Sequence, residues 1–194
     1  MIVKICGIQD VETAKQAAAS AADFIGFVFA KSSREITPKK AKQMAEVVPE
    51  LKKVGVFVNE SLDRVKKVAN DVGLDYIQLH GDESPAYCQQ LDLPVIKAFQ
   101  IKNHNDLKRI RNYDVDYYLL DSPGGKYRGG SGKTFEWSVL HESTSFFKNR
   151  MILAGGLRPS NVQAAIQEVE PVGVDVSSGV ETNGIKDPLK IKSF

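Results

Sequence analysis

The sequence predicts an α/β chain folded as a (β/α)8 TIM barrel, compact and with a short final helix. Three observations carry this expectation. Short apolar, β-branched runs alternate along the whole chain with longer segments of helical period. The alternation yields eight strand–helix units, and eight is the number that closes such a barrel. Polar residues close several of the apolar runs, at the strand ends where a parallel barrel carries its chemistry. An open doubly wound sheet is the alternative, and it needs a chain reversal at a switch point. A barrel usually takes about 250 residues. This chain has 194, so its helices must be short. There is no linker and no low-complexity tract, and the expectation is a single catalytic domain over residues 1–194.

Taken in order, the first strand is Ile2–Cys6, and alternation turns Ile2, Lys4 and Cys6 inward while Val3 and Ile5 face the helices. Asp10 caps a helix over Val11–Ala22. The second strand, Phe24–Phe29, leads into a loop holding Arg34, and Thr37-Pro38 opens a helix through Val48. Lys53–Val58 is the third strand, and Ser61 caps a helix over Leu62–Val72. The fourth, Tyr76–Leu79, closes on His80, and Ser84-Pro85 opens a helix through Leu91 in which Cys88 packs inward. Val95–Ala98 is the fifth strand, followed by a helix from Asn103 through Arg111. The sixth, Tyr117–Asp121, ends on a carboxylate. Met151–Ala154 runs into Gly155-Gly156, with a helix from Pro159 to Val169. Val172–Val176 runs into Ser177-Ser178-Gly179, and Pro188–Phe194 forms a last helix of barely two turns. With Val174 and Val176 toward the helices, Asp175 points inward. The first and eighth strands become neighbours on closure, so Lys4 and Asp175 are expected to pair inside the barrel.

The bulk properties narrow the function. The net charge of +2 is a near-balance of 26 basic and 24 acidic groups, and no basic tract is interleaved with aromatics, so nucleic acid is not an expected partner. No apolar run approaches the roughly 20 residues that span a bilayer. The N-terminal residues read as a strand, not a signal peptide. Cys6 and Cys88 lie far apart and form no CxxC pair, which argues against a metal site or a disulfide framework and for a reducing cytoplasm. Three glycine-bearing turns each follow an apolar strand: Gly129-Gly130-Ser131-Gly132, Gly155-Gly156 and Ser177-Ser178-Gly179. Such turns can aim backbone N–H groups at a phosphate dianion. Gly130, Gly132, Gly155, Gly156, Ser178 and Gly179 are therefore the candidate phosphate-binding residues of an enzyme acting on a phosphorylated small molecule. Gly132-Lys133-Thr134 mimics the end of a nucleotide-binding P-loop, but Tyr127 stands where that motif needs a glycine. The polar stretch Ser122–Arg128 before it reads as part of a flexible lid.

Beyond these patterns, an ordered set of motifs runs through the chain: Lys4-Ile5-Cys6-Gly7-Ile8, Arg34, Gly55-Val56-Phe57-Val58, Gln78-Leu79-His80-Gly81, Leu120-Asp121-Ser122, Gly129-Gly130-Ser131-Gly132, Leu153-Ala154-Gly155-Gly156-Leu157 and Asp175-Val176-Ser177-Ser178-Gly179-Val180-Glu181. With this set the chain resembles, from Met1 to Phe194, the phosphoribosylanthranilate isomerases of tryptophan biosynthesis. Its departure from the family pattern is an abrupt end after Ile191, where other members often carry a longer final helix.

The resemblance implies an intramolecular oxidoreductase, an aldose–ketose isomerase. It carries out the Amadori rearrangement of N-(5′-phosphoribosyl)anthranilate to 1-(2-carboxyphenylamino)-1-deoxyribulose 5-phosphate without a metal or organic cofactor. It implies Asp121 as general acid and Cys6 as general base. Arg34 then meets the anthranilate ring and carboxylate, since a guanidinium both stacks on an arene and forks onto a carboxylate. His80 and Asp175 are expected to contact substrate. Each role carries a physical demand: Asp121 must be protonated to act, and Cys6 works as a thiolate, which a nearby cation such as Lys4 favours. The assembly is expected to be a monomer or homodimer. The related histidine-pathway isomerase places an Asp where Cys6 stands, so the cysteine speaks against that reading. A catalytically silent phosphate-binding barrel is the rival from another class.

Overall fold

A computed structural model of the chain describes residues 1–102, 104–121 and 146–194. Eight parallel strands close in sequence order: β1 (Ile2–Cys6), β2 (Phe24–Val28), β3 (Lys52–Phe57), β4 (Tyr76–Leu79), β5 (Val95–Gln100), β6 (Tyr117–Asp121), β7 (Met151–Leu153) and β8 (Gly173–Val176). Closure is made by β1 on β8, with Lys4 opposite Asp175.

Strand alternation sorts the apolar residues as the sequence predicts. Phe24, Val54, Ile96, Ala98, Leu119, Ile152 and Ala154 pack as one buried cluster inside the barrel. Ile5, Ile25, Phe27, Leu79, Val174 and Val176 belong to a second cluster shared with the helices. At the N-terminal end, Phe24, Tyr76 and Tyr117 make an aromatic floor, with ring centroids 5.0, 6.4 and 6.0 Å apart. Gly173 leaves room beside them for Ile2, whose Cβ would lie 2.8 Å from a Cβ at that position. The filled floor makes the interior a core and not a pore, so a ligand enters at the other end.

Helices α1 (Val11–Ala19), α2 (Pro38–Val47), α3 (Leu62–Val72), α4 (Pro85–Cys88), α5 (His104–Ile110), α6 (Val162–Val169) and α7 (Pro188–Ser193) are found among the described residues. Asp10, Thr37 and Ser84 accept N-cap hydrogen bonds from the backbone as expected. Ser61 occupies the N-cap of α3 without a capping bond; its N–H and its hydroxyl both donate to Glu60. Three helices are shorter than their sequence pattern suggests. α1 stops at Ala19 because Ala21 turns left-handed (φ 56°) and Ala22 N–H closes back on Ala17 O. α4 ends at Cys88, where the chain passes into a run of turns on its way to β5. α6 begins at Val162, since Asn161 accepts from Arg158 N–H and donates to Gly156 O, holding the residues from Pro159 as a turn. Asn103, the expected start of α5, lies outside the described residues. No described helix is long and apolar enough to cross a membrane.

One element was not anticipated. A 3-10 turn at Ser178–Val180 leads from β8 into an antiparallel ribbon, β9 (Glu181–Thr182) with β10 (Ile185–Lys186). Asn183 and Gly184 form its turn with φ of 53° and 80°. Two left-handed residues at a hairpin tip are what an Asn-Gly pair accommodates best, so the signal was present in the sequence.

Candidate active site

The C-terminal mouth holds a cavity of about 780 Å3, and Cys6, Arg34, His80, Asp121, Gly155, Gly156, Asp175, Ser178 and Gly179 all line it. The sequence-predicted residues thus converge from β1, β2, β4, β6, β7 and β8. Gly130 and Gly132, with the expected lid, lie outside the described residues.

On the β1–β8 seam, the fully buried Lys4 Nζ donates to Asp175 Oδ1 at 2.7 Å, which is the pairing expected from alternation. Cys6 sits at the next inward position of β1, 8% exposed. Its neighbour on β2 is Gly26. A Cβ on Gly26 would lie 2.8 Å from Cys6 Sγ and 3.1 Å from Lys4 Nζ, so the thiol and the ammonium occupy the space of the missing side chain. Burial pushes the Cys6 thiol above its ordinary range; the Lys4 ammonium opposes the rise, and Asp175 adds to it. Burial pulls Lys4 down, but Asp175 and Cys6 together outweigh it and keep the ammonium charged. The resting site therefore holds a neutral thiol over a fixed cation, which favours the thiolate once a proton acceptor or a second positive charge arrives.

Across the mouth, Asp121 closes β6 and is 4% exposed, behind the apolar Leu119 and Leu120. His80 Nε2 lies 3.3 Å from Asp121 Oδ2. That is within ion-pair range, yet no hydrogen bond is aligned, and among the described residues neither Nε2 nor Gln78 Oε1, both buried, has a partner. The other ring nitrogen, Nδ1, is 3.0 Å from Gln78 Nε2. With that amide as placed, Nδ1 accepts and Nε2 carries its hydrogen toward Asp121. Turning the amide over puts Oε1 on an Nδ1–H and makes Nε2 the acceptor, so the orientation of the Gln78 amide and the tautomer of His80 are linked. In the sequence, Gln78 stands out only as a member of the motif Gln78-Leu79-His80-Gly81, with no role of its own.

At the β2 side of the cavity, Arg34 passes over Gly7, which is left-handed (φ 80°) and whose Cβ would lie 2.5 Å from Arg34 Cδ. Arg34 Nε and Nη2 each donate to Glu181, at 2.7 Å to Oε1 and 2.7 Å to Oε2. Lys186 Nζ donates to the same Oε1 at 2.6 Å and to Ser177 O at 2.9 Å, and Ser177 Oγ donates to Cys6 O at 3.1 Å. Burial works to raise the Glu181 carboxyl, but Arg34 and Lys186 overcome it and hold it below the usual carboxylate range. Burial pulls Lys186 below the usual ammonium range against the pull of Glu181. Glu181 and Lys186 have no expected role from the sequence, since each sits on a ribbon strand of two residues.

The opposite end is built of glycines. Gly155 and Gly156 are consecutive left-handed residues, with φ of 85° and 67°. Gly179 abuts the turn after β7 so closely that a Cβ there would lie 1.7 Å from Leu157 O. The turns after β7 and β8 therefore interlock, and a side chain between them would force them apart. This is the position at which barrels commonly bind phosphate.

A closed parallel barrel with a buried thiol and a buried carboxyl facing one cavity defines a (β/α)8-barrel enzyme of the acid–base class. The sequence model of the N-(5′-phosphoribosyl)anthranilate (PRA) isomerases matches residues 3–194. An N-(5′-phosphoribosyl)anthranilate isomerase of Bacillus cereus is 50% identical over 193 residues, covering 99% of this chain and 96% of its own. Among solved structures, a monomeric form of the dimeric phosphoribosylanthranilate isomerase from Thermotoga maritima aligns with a TM-score of 0.90 and 41% identity, over 100% of this chain and 96% of that one. A phosphoribosylanthranilate isomerase in complex with reduced 1-(o-carboxyphenylamino)-1-deoxyribulose 5-phosphate aligns at 0.87 and 40%, over 100% and 96%. The chain belongs to the phosphoribosylanthranilate isomerase family.

Proposed function

We propose that this chain catalyses the isomerisation of N-(5′-phosphoribosyl)anthranilate in tryptophan biosynthesis, with Asp121 as general acid and Cys6 as general base. The observation that carries the roles is that these two side chains, distant in sequence, line one cavity at the barrel mouth. Asp121 donates its proton to the furanose ring oxygen. The C1′–O bond breaks as the anilino nitrogen lone pair forms the C1′=N iminium. Cys6, having released its thiol proton to solvent, takes the C2′ proton as thiolate, and the C–H electrons form the enol-amine. That species becomes the ketone as the C2′ hydroxyl loses a proton and C1′ gains one. No atom is gained or lost overall.

The raised affinity of Cys6 for its proton suits this order of events. The thiolate is needed only after ring opening, when the iminium adds a positive charge to that of Lys4. A thiol that holds its proton firmly is also the stronger base once ionised. Asp175 holds Lys4 in place and touches the sugar, Arg34 receives the aryl carboxylate, and the turns at Gly155-Gly156 and Ser178-Gly179 receive the phosphate, with His80 beside the acid. Gly130 and Gly132 complete the phosphate site in this reading. The reading places the enzyme in the cytoplasm. It also allows a homodimer like that of the Thermotoga relative, which sedimentation equilibrium distinguishes from a monomer.

The test is the loss of substrate fluorescence under single-turnover and steady-state conditions, for the parent and for Cys6→Ala and Asp121→Ala. General acid–base groups contribute about 10²–10⁴-fold, so each variant is expected to lose about a thousandfold in kcat. Turnover near that of the parent in either variant removes that residue from its role, and no turnover by the parent removes the function.

A further inference from the structure

We propose that Glu181 and Lys186, on the ribbon after β8, are positioning residues that make Arg34 a selective reader of the substrate's aryl carboxylate. The inference rests on the function proposed above. Neither residue lines the cavity, so both act through Arg34.

The geometry leaves Arg34 one way to face a ligand. A guanidinium carries five N–H donors in a planar fork. Glu181 accepts from Nε and from Nη2, which occupies one edge of the fork. Three hydrogens remain: one on Nη1 beside the stem, and the outer pair of Nη1 and Nη2 along the edge that matches a carboxylate bidentately. The stem is also confined, because Arg34 Cδ and Cγ run where a side chain at Gly7 would be. Nε and Nη2 on one carboxylate and the stem across a glycine leave little rotation about the last side-chain bonds.

The charges point the same way. Arg34 and Glu181 alone would form a neutral pair whose field largely cancels at the cavity. Lys186 adds a second cation to the same carboxylate, at 2.6 Å from Glu181 Oε1 and 5% exposed. The triad therefore carries one net positive charge, and the aryl carboxylate carries one negative charge. The ribbon is what makes the triad possible. Its register sets Lys186 directly opposite Glu181, and residues opposite each other in an antiparallel pair project from the same face. Lys186 is tied down further by Ser177 O and Oγ.

The experiment compares N-(5′-phosphoribosyl)anthranilate with N-(5′-phosphoribosyl)aniline, which lacks only the carboxylate, for the parent, Glu181→Gln and Lys186→Met. The readout is the ratio of kcat/KM for the two substrates, with circular dichroism as the folding control. Both variants are expected to lose at least about tenfold in this ratio, since a misdirected fork and a neutralised triad each remove carboxylate-specific binding. The loss should fall on KM for the anthranilate compound more than on kcat. An unchanged ratio in a folded Glu181→Gln protein, or an equal loss on both substrates, overturns the inference. If that variant does not fold, Lys186→Met decides by the same criterion. A parent that turns over neither compound defeats the proposed function instead, while an active parent whose variants keep its discrimination defeats only this inference.

Discussion

Replacing Gly26 by alanine is expected to disable Cys6 without touching it. The added Cβ would lie 2.8 Å from Cys6 Sγ, 3.1 Å from Cys6 Cα and 3.1 Å from Lys4 Nζ. Ordinary non-bonded contacts between heavy atoms of this kind sit at about 3.5–4.0 Å, so the sulfur must retreat by about 1 Å. It has few ways to do so. Cysteine has a single side-chain torsion, and leaving its staggered well means turning the sulfur to another face. Lys4 cannot yield easily, because Asp175 holds its ammonium at 2.7 Å. The third contact is to backbone, which moves only with β1. Overpacking of this kind costs about 1–3 kcal/mol, which in a domain of this length lowers the melting temperature by about 2–12 °C at about 2–4 °C per kcal/mol. A misplacement of about 1 Å at a reacting group costs about 10²-fold in rate. The assays are fluorescence-detected turnover, thermal denaturation and the rate of Cys6 alkylation at fixed pH. A kcat within about threefold of the parent, against the 10²-fold expected from misplacement, together with an unchanged alkylation rate, would refute the steric argument.

The remaining expectations concern titration, the second buried ion pair and the phosphate end. Because burial raises the Cys6 thiol, kcat/KM should climb with pH through and beyond the ordinary thiol value of about 8.5, and Lys4→Met should move that limb higher; a limb centred below the ordinary value contradicts the assignment. The sign for stability follows from the same shift: folding favours the neutral thiol, so its contribution is intact below the unfolded thiol's pKa and is lost as pH rises through the folded one. Denaturant titrations of Cys6→Ala should therefore lack part of the parent's alkaline destabilisation. Lys97, buried on the helix side of β5, donates to Glu83 at 3.1 Å and to the carbonyls of Leu79, Gly81 and Ala98. Lys97→Met should destabilise by about 3–5 kcal/mol by stranding the Glu83 charge, and a urea-derived loss under about 1 kcal/mol would place the pair among those of little consequence. Gly179→Ala should separate the turns after β7 and β8, raising KM and weakening inhibition by inorganic phosphate by about tenfold or more, the scale of losing one charge-assisted hydrogen bond; unchanged phosphate inhibition counts against a phosphate site there.

What the sequence made legible is governed by period and by short-range chemistry. The period of two in Ile2–Cys6 and in Val174–Val176 was enough to set Lys4 and Asp175 inward, and ring closure then made them partners. The ends of β1, β4, β6 and β8 fall where the sequence pattern puts them, whereas β2, β3 and β7 stop one residue earlier and β5 runs two residues further, to Gln100. Helix ends were less legible. The start of α6 is decided by a side-chain tie from Asn161 back to Gly156, which no helix propensity records. The ribbon was missed for another reason: its strands are two residues each, too short for alternation to register, although Asn183-Gly184 marked its turn. Gly26 was invisible as a site residue because its contribution is an absence of atoms, and only a neighbour on another strand gives that absence meaning.

The electrostatics of the thiol are concentrated on the one seam of the barrel that joins the two ends of the chain. Lys4 and Cys6 stand on β1, while Asp175 and Ser177 lie on or just after β8 and Lys186 just beyond. The bonds that link them span 171 positions, as from Lys4 to Asp175 and from Ser177 to Cys6 O. Every other strand pair is closed by a nearby crossover, whereas this one closes only when the last strand meets the first. Contacts of such separation carry the largest loop-closure cost. A partly closed barrel would leave Cys6 without the Asp175-held cation beneath it and Arg34 without the ribbon that aims it. Asp121 and Cys6 are thereby placed under different constraints: Asp121 and His80 are set by β4 and β6 within the body of the sheet, and Cys6 gains its environment only at completion of the ring. In the proposed mechanism the chemistry is thus tied to closure itself, and α7, which packs against α1 across the same seam, helps hold that closure from outside.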